Sequence, residues 1–245
     1  MMALPESLFP PGPRPLQLRA LAWPRPLQVL VLAPHPDDFD AIGSTLRHLH
    51  LRGHVLHVAV LTTGSNGVED GFQGAVDAAG KAALREGEQA ASCAFFGLPP
   101  ERLHFLRLWG EGAESDDAPL EAWIASRPAD LLFLPHGNDG NRTHRRTFET
   151  VRRIAQQQRL QAWACLNQDA KTVDMRVDLV HAFGEEEARW KGGLLRLHRS
   201  QQERNLRTRG SGFDARVLEV NRKAARAMDC AQPYAEVFEL VRLGA

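Results

Sequence analysis

No charge of one sign dominates this chain: 30 lysines and arginines stand against 30 aspartates and glutamates, and the formal net charge is zero. Nothing therefore draws the protein globally to nucleic acid or to an anionic lipid surface, and a charged partner has to be recognised locally. Cysteine is scarce. Cys93, Cys165 and Cys230 are odd in number, far apart and free of any CxxC spacing, which argues against a disulfide framework and a thiolate zinc site and makes a reducing cytoplasm the expected home. No window approaches the roughly 20 consecutive apolar residues that a bilayer span needs, and residues 1–26 lack an apolar run of secretory length. Internal repeats and interdomain linkers are missing as well. What is present, 43% hydrophobic and 24% charged residues, is the mixture of a soluble globular chain. A chain of this size buries roughly 70–75% of its unfolded surface, so one core and one domain are expected.

Residues 1–26 carry Pro5, Pro10, Pro11, Pro13, Pro15, Pro24 and Pro26, which oppose regular helix and central strand, so an irregular arm draped over a domain at 27–245 is expected. The domain opens on Leu27-Gln28-Val29-Leu30-Val31-Leu32-Ala33, a near-continuous apolar run of the kind a strand buried on both faces shows. Further strands are expected at 54–62, 103–106, 130–134, 163–167, 173–179 and 235–241. Helices are expected at 39–51, 78–96, 120–126, 144–157, 185–199 and 217–228. This alternation predicts an α/β fold, Rossmann-like, with a mostly parallel sheet, right-handed crossovers and helices on both faces. In such sheets ligands sit beyond the carboxyl ends of the strands.

Two post-strand loops concentrate the reactive side chains. His35-Pro36-Asp37-Asp38 sets an imidazole and two carboxylates on a proline-fixed turn at the mouth of a buried strand. Apolar flanks make an ionised carboxylate costly unless it is paired or bound to a cation. A plainer use of Asp37 or Asp38 is to cap the following helix. The second loop, residues 136–147, again offers His and Asp after a buried strand, in His136, Asp139 and His144. A histidine near a helix start is by itself most simply a surface residue. Two such loops opening at one sheet edge, however, match a catalytic zinc site, with three N and O ligands and a fourth position for water.

The run Ala33-Pro34-His35-Pro36-Asp37-Asp38, with Leu134-Pro135-His136, Asp139 and the His144-Arg145 pair downstream, resembles the PIG-L/LmbE-like N-acetylglucosamine deacetylases. Arg85-x-x-Glu88, Ser200-Gln201 and Tyr234-Ala235-Glu236 agree with it, so the resemblance runs over about 27–240. It implies a Rossmann-like deacetylase fold, Zn2+ held by His35, Asp38 and His144, and Asp37 as general base. Zinc lowers the pKa of a bound water from about 15.7 to near 7, and a neighbouring unliganded carboxylate can then move the proton. The chain departs from the family pattern in two places. Phe39 and Asp40 stand where the family commonly has Glu after its two aspartates. Asn141-Arg142-Thr143-His144 stands in place of HPDH. Asn141 can donate a hydrogen bond but not act as an acid, which makes His136 the substitute candidate for stabilising an oxyanion.

The resemblance also puts Arg85 against sugar hydroxyls; a salt bridge to Glu88 or Glu86 is the alternative. Thr63 after the second strand and Asp139 in the second loop are the other candidate substrate contacts. Residues 68–80 suit a lid or an ordinary surface loop. The arginines of 196–209 lack aromatic interleaving and suit a solvated helix face rather than a nucleic-acid surface. The expected function is removal of an N-acyl group, in first place N-acetyl, from an amino-sugar-containing small molecule or glycoconjugate. Alternatives are a metal-dependent hydrolase of a non-sugar amide or another bond, and a catalytically silent sugar- or metal-binding module. A homo-oligomer is compatible with the sequence.

Overall fold

The computed structural model describes residues 8–109 and 116–244. Pro5 of the N-terminal arm and residue 245 of the domain span therefore lie outside the described residues. The elements run β1 (Leu16–Gln17), β2 (Gln28–Ala33), α1 (Asp38–Ala41), α2 (Gly43–Leu51), β3 (Val55–Val60), α3 (Ala78–Phe96), β4 (Leu103–Phe105), α4 (Ala118–Ala125) and β5 (Leu131–Pro135). They continue with α5 (Arg142–Gln157), β6 (Ala162–Asn167), β7 (Leu179–Phe183), α6 (Glu185–Leu195), α7 (Arg199–Arg209), α8 (Phe213–Ala227) and β8 (Tyr234–Leu243). One sheet holds the strands in the order β1-β7-β8-β6-β5-β2-β3-β4. Its pairings are parallel except where β8 lies antiparallel to β6 and to β7. Among the described residues no helix is long and apolar enough to cross a membrane.

The apolar run Val29–Ala33 of β2 is explained by the two faces it serves. Val29, Val31 and Ala33 join a cluster with Leu46 and Leu49 of α2, Cys93 and Phe96 of α3 and Leu194 of α6. Leu30 and Leu32 join a second cluster with Leu120, Trp123 and Ile124 of α4 and Val151 and Ile154 of α5. Each fully buried Val, Leu or Ile contributes roughly 1.5–3 kcal/mol relative to exposure, so both layers hold the central strand in register. Helix α3 starts at Asp77, whose carboxylate accepts the Gly80 N–H at 2.7 Å, and stops at Gly97, where φ is +91°. Glycine adopts that left-handed conformation without the steric penalty of a side chain. Cys93 and Cys165 are buried, and burial pushes both thiols up, so neither is a nucleophile near neutral pH.

The helix expected over 39–51 is two helices. The break at Ile42 arises because Glu236, arriving from β8, accepts the Ser44 and Thr45 N–H groups at 3.1 and 2.7 Å and caps α2. Lys191, fully buried, balances that carboxylate at 2.6 Å and also donates to the Ala41 carbonyl and Asn221. The strand expected over 173–179 begins where that span ends, at Leu179; Arg176 instead turns onto Asp178 at 2.9 Å, and Val173 is 60% exposed. The helix expected over 185–199 stops at Leu195, and a separate helix starts at Arg199.

The N-terminal segment does more than drape. β1 pairs with β7 at the sheet edge, a position that tolerates nearby prolines, and Leu8, Phe9, Leu18 and Leu21 enter the main core cluster. Arg25 grips Asp130 with two bonds of 2.7 and 2.8 Å, and Arg19 reaches Glu187 at 2.6 Å. Burial alone raises the Glu187 pKa, but hydrogen bonds from His181 and Ser44 and the charges of His181 and Arg19 outweigh it and lower it from an ordinary 4.5 to about 2. With the folded value below the unfolded one, this stabilisation is present above pH 4.5 and is lost as pH falls through about 2. Thermal melts of Glu187→Gln are therefore expected to change less than wild type across that window. Parallel curves would refute the assignment.

Candidate metal centre

The strand order reverses between β2 and β5: the chain moves from β2 outward through β3 and β4, then returns to β5 on the other side. Loops following the two strands diverge there and leave a crevice at the carboxyl edge. The turn after β2 carries His35 to Asp38, and the loop after β5 leads to His144 in the first turn of α5. Their side chains meet. Asp38 Oδ2 lies 3.1 Å from His35 Nδ1, and Asp38 Oδ1 lies 3.4 Å from His144 Nε2. One donor atom from each of His35, Asp38 and His144 falls within 4.8 Å of the others. Donors on a tetrahedral zinc at about 2.0–2.2 Å stand roughly 3.4 Å apart, so two contacts already have that spacing.

The electrostatics favour a cation at this point. Burial lowers the His144 pKa, but the carboxylates of Asp38 and Asp139, with Asp169 beyond them, reverse the effect and raise it to about 11. Burial likewise raises Asp38, and the imidazoles of His144 and His35 overcome it, holding the carboxyl well below the usual carboxylate range. A site that stabilises a proton on His144 so strongly suits a divalent ion competing for the same lone pair. His144 is oriented from behind, with Asp139 Oδ2 3.4 Å from its Nδ1. Asp139 is fixed in turn by the Asn141 N–H at 2.6 Å and the Thr172 hydroxyl at 3.0 Å. The His144 side chain is 4% exposed, whereas His35 and Asp38 are 24% and 21% exposed, leaving the crevice side open for water or substrate.

Asp37 has φ +127° and ψ −20°, a conformation rarely adopted by a residue with a side chain. Three contacts enforce it. Its N–H donates to Gln89 Oε1 at 2.9 Å, Arg85 Nη2 donates to Asp37 Oδ2 at 2.9 Å, and Arg85 also donates to the Pro36 carbonyl. Behind them Asp40, fully buried, accepts from Gln89 Nε2 at 3.0 Å, from His198 Nε2 at 2.7 Å and from Ser92. Asp40 thus braces the turn through Gln89. Gly64 completes the packing. Its φ is +64°, and a Cβ there would come within 2.9 Å of Pro36 and 3.2 Å of Arg85 Nε.

The remaining sequence candidates occupy different roles. Arg85 is 2% exposed and donates to Asp37, with Glu88 3.6 Å away. Asp139 is 2% exposed and lies against His144 and its own loop. Asn141 caps α5 by accepting the Thr143 N–H at 2.9 Å. His136 Nδ1 accepts the Asn138 N–H at 2.9 Å and Nε2 lies 3.3 Å from Glu239, so both ring nitrogens are engaged away from the cluster. Thr63 is half-buried beside the β2 turn and bonded to Ser65 at 3.2 Å. At the start of the loop at 68–80, Asp70 pairs with Lys81 and Glu69 with Arg207, and Gln201 reaches the preceding Gly67 carbonyl at 3.0 Å. Asp169, after β6, was not singled out by the sequence, yet its carboxylate lies 3.9 Å from His144 Nδ1, and burial pushes its pKa up. Its place after a third parallel strand is the signal that could have found it.

A surface cleft of about 550 Å3 lies elsewhere, toward the β1–β7 side, lined by Arg19, Phe183, Met228 and Cys230 among others. It contains none of the residues of the His/Asp cluster.

A family model described as PIG-L, GlcNAc-PI de-N-acetylase, matches residues 30–155. No curated protein matches the chain. Among solved structures, N,N'-diacetylchitobiose deacetylase from Pyrococcus horikoshii is similar at 18% identity and a TM-score of 0.71, over 88% of this chain and 84% of that one. The zinc-inhibited form of the teicoplanin deacetylase Orf2 is similar at 14% identity and a TM-score of 0.64, over 88% and 98%. GalB, the 4-carboxy-2-hydroxymuconate hydratase from Pseudomonas putida, is similar at 16% identity and a TM-score of 0.66, over 88% and 96%. These likenesses show the fold.

Proposed function

Since the chain belongs to the PIG-L family of GlcNAc-PI de-N-acetylases, we propose that it is a zinc-dependent hydrolase that removes an N-acyl group, in first place acetyl, from an amino-sugar-containing substrate. The observation that carries this reading is the meeting of His35, Asp38 and His144 donors within 4.8 Å at the sheet's switch point. The donor set of two imidazoles and a carboxylate is the N/O chemistry zinc takes in catalytic sites. Zinc held there supplies the Lewis acidity that makes water a nucleophile near neutral pH.

The chain's own residues do the rest. Asp37, adjacent to Asp38 and fixed by Arg85 and Gln89, takes a proton from the water as its oxygen attacks the acyl carbon. As the C–N bond breaks, the same carboxyl returns the proton to the departing amine, and the carboxylic acid and the free amine leave. Asp139 keeps His144 in the ring orientation that directs Nε2 toward Asp38.

The test is release of acetate and free amine from a panel of N-acetylated sugars and conjugates. Chelator treatment is expected to abolish turnover and added Zn2+ to restore it. Undiminished turnover in zinc-free protein would refute the metal mechanism. Acetate release also separates amide hydrolysis from the hydratase activity of the like-folded GalB.

A further inference from the structure

The turn His198-Arg199-Ser200-Gln201, where α7 begins, supplies none of the clustered metal donors. Its polar side chains are nevertheless buried: His198 is 0%, Ser200 2% and Gln201 8% exposed. Polar groups are costly to bury unless their hydrogen bonds are made inside the protein. Here those bonds lead toward Asp37 by two routes.

The first route runs through α1 and α3. His198 Nε2 lies 2.7 Å from Asp40 Oδ2, the same oxygen accepts from Gln89 Nε2 at 3.0 Å, and Gln89 Oε1 accepts the Asp37 N–H at 2.9 Å. The second runs through α3 alone. Ser200 donates to Glu88 from both its N–H and its hydroxyl, each at 2.7 Å. Glu88 Oε2 lies 3.6 Å from Arg85 Nη1, and Arg85 Nη2 donates to Asp37 Oδ2 at 2.9 Å. One route therefore ends on the backbone of Asp37 and the other on its carboxylate. A left-handed backbone at a residue with a side chain persists only where its surroundings over-determine it, and Asp37, at φ +127°, makes no capping bond with its own side chain.

We propose that His198 and Ser200 are positioning residues for proton transfer. Through Gln89 and through Arg85 they fix the backbone and the carboxylate of Asp37 relative to the donors of His35, Asp38 and His144. The proposal rests on the reading of Asp37 as the base. A purely structural use of the same turn is to start α7, which has no capping side chain of its own and whose Ser200 N–H is satisfied by Glu88. That use predicts effects on folding without a selective effect on turnover.

The test is a double-mutant cycle on the full chain, read by amine release with zinc analysis of the same samples. Ser200→Ala and His198→Phe are each expected to lower kcat about 10- to 100-fold, the scale of an ångström's misplacement, with KM and zinc content unchanged. His198→Gln keeps an N–H for Asp40 and is expected to recover most of the loss. In an Asp37→Asn background either substitution is expected to change kcat less than about twofold, because the group they position is gone. Losses that multiply with that of Asp37→Asn overturn the proposal, as does wild-type kcat in Ser200→Ala or zinc lost in step with turnover. His198→Phe takes a donor from the fully buried Asp40, so circular dichroism checks its fold. Ser200→Ala, which leaves the Ser200 N–H on Glu88, carries the test if His198→Phe does not fold. Crystal structures give a readout independent of activity: Asp37 is expected to leave its wild-type φ in His198→Phe and to lose its Arg85 contact in Ser200→Ala. An unmoved Asp37 in both overturns the positioning role. Wild-type turnover in Asp37→Asn overturns the base reading instead, so the two failures are distinguishable.

Discussion

Replacing Asp37 by Asn is expected to lower kcat by about 10²- to 10⁴-fold, the usual contribution of a positioned proton-transfer group, while KM and zinc content stay at wild-type values. The backbone supports the expectation. Asp37 sits at φ +127°, where a residue with a side chain costs on the order of 1–3 kcal/mol. That strain is sustained by Gln89 on its N–H, Arg85 on its carboxylate and the Asp40–His198 pair behind Gln89. The carboxylate faces the buried Arg85 guanidinium at 2.9 Å, and in the proposed mechanism it also carries the proton. Asn keeps the shape and removes the basic oxygen. Steady-state kinetics on the amine-release assay, with zinc analysis of the same samples, decides the matter. Wild-type turnover would remove Asp37 from the mechanism, and loss of zinc together with turnover would make it a ligand.

His144→Ala is expected to remove one equivalent of zinc and to lower turnover more than about 10³-fold, since in the proposed mechanism the metal would supply both the nucleophile and several kcal/mol of charge stabilisation. The surroundings explain why no neighbour substitutes. Asp38, Asp139 and Asp169 all lie within 3.9 Å of the His144 ring nitrogens, and without the imidazole they present carboxylates with no nitrogen donor from α5. A variant that kept wild-type zinc and activity would show that His144 is not a ligand.

Much of this was set locally and could be read from residue order. The span 78–96 is one helix in sequence and in structure because Asp77 and Gly97 cap it within one turn of each end. Residues 29–33 of β2 are all apolar because both faces are covered, and the two His/Asp loops open at one edge because both follow parallel strands. The brace around Asp37 was not legible. Asp40 and His198 are 158 residues apart, and Ser44 and Glu236, whose contact splits the expected 39–51 helix, are 192 apart. The sequence left Arg85 between a sugar and an acid, and it is the fold that brings its guanidinium to 2.9 Å from Asp37. Capping and periodicity act over a few residues and so leave their mark in the sequence. Which buried polar groups satisfy one another is decided by the order in which strands enter the sheet, and that order exists only once the chain has folded.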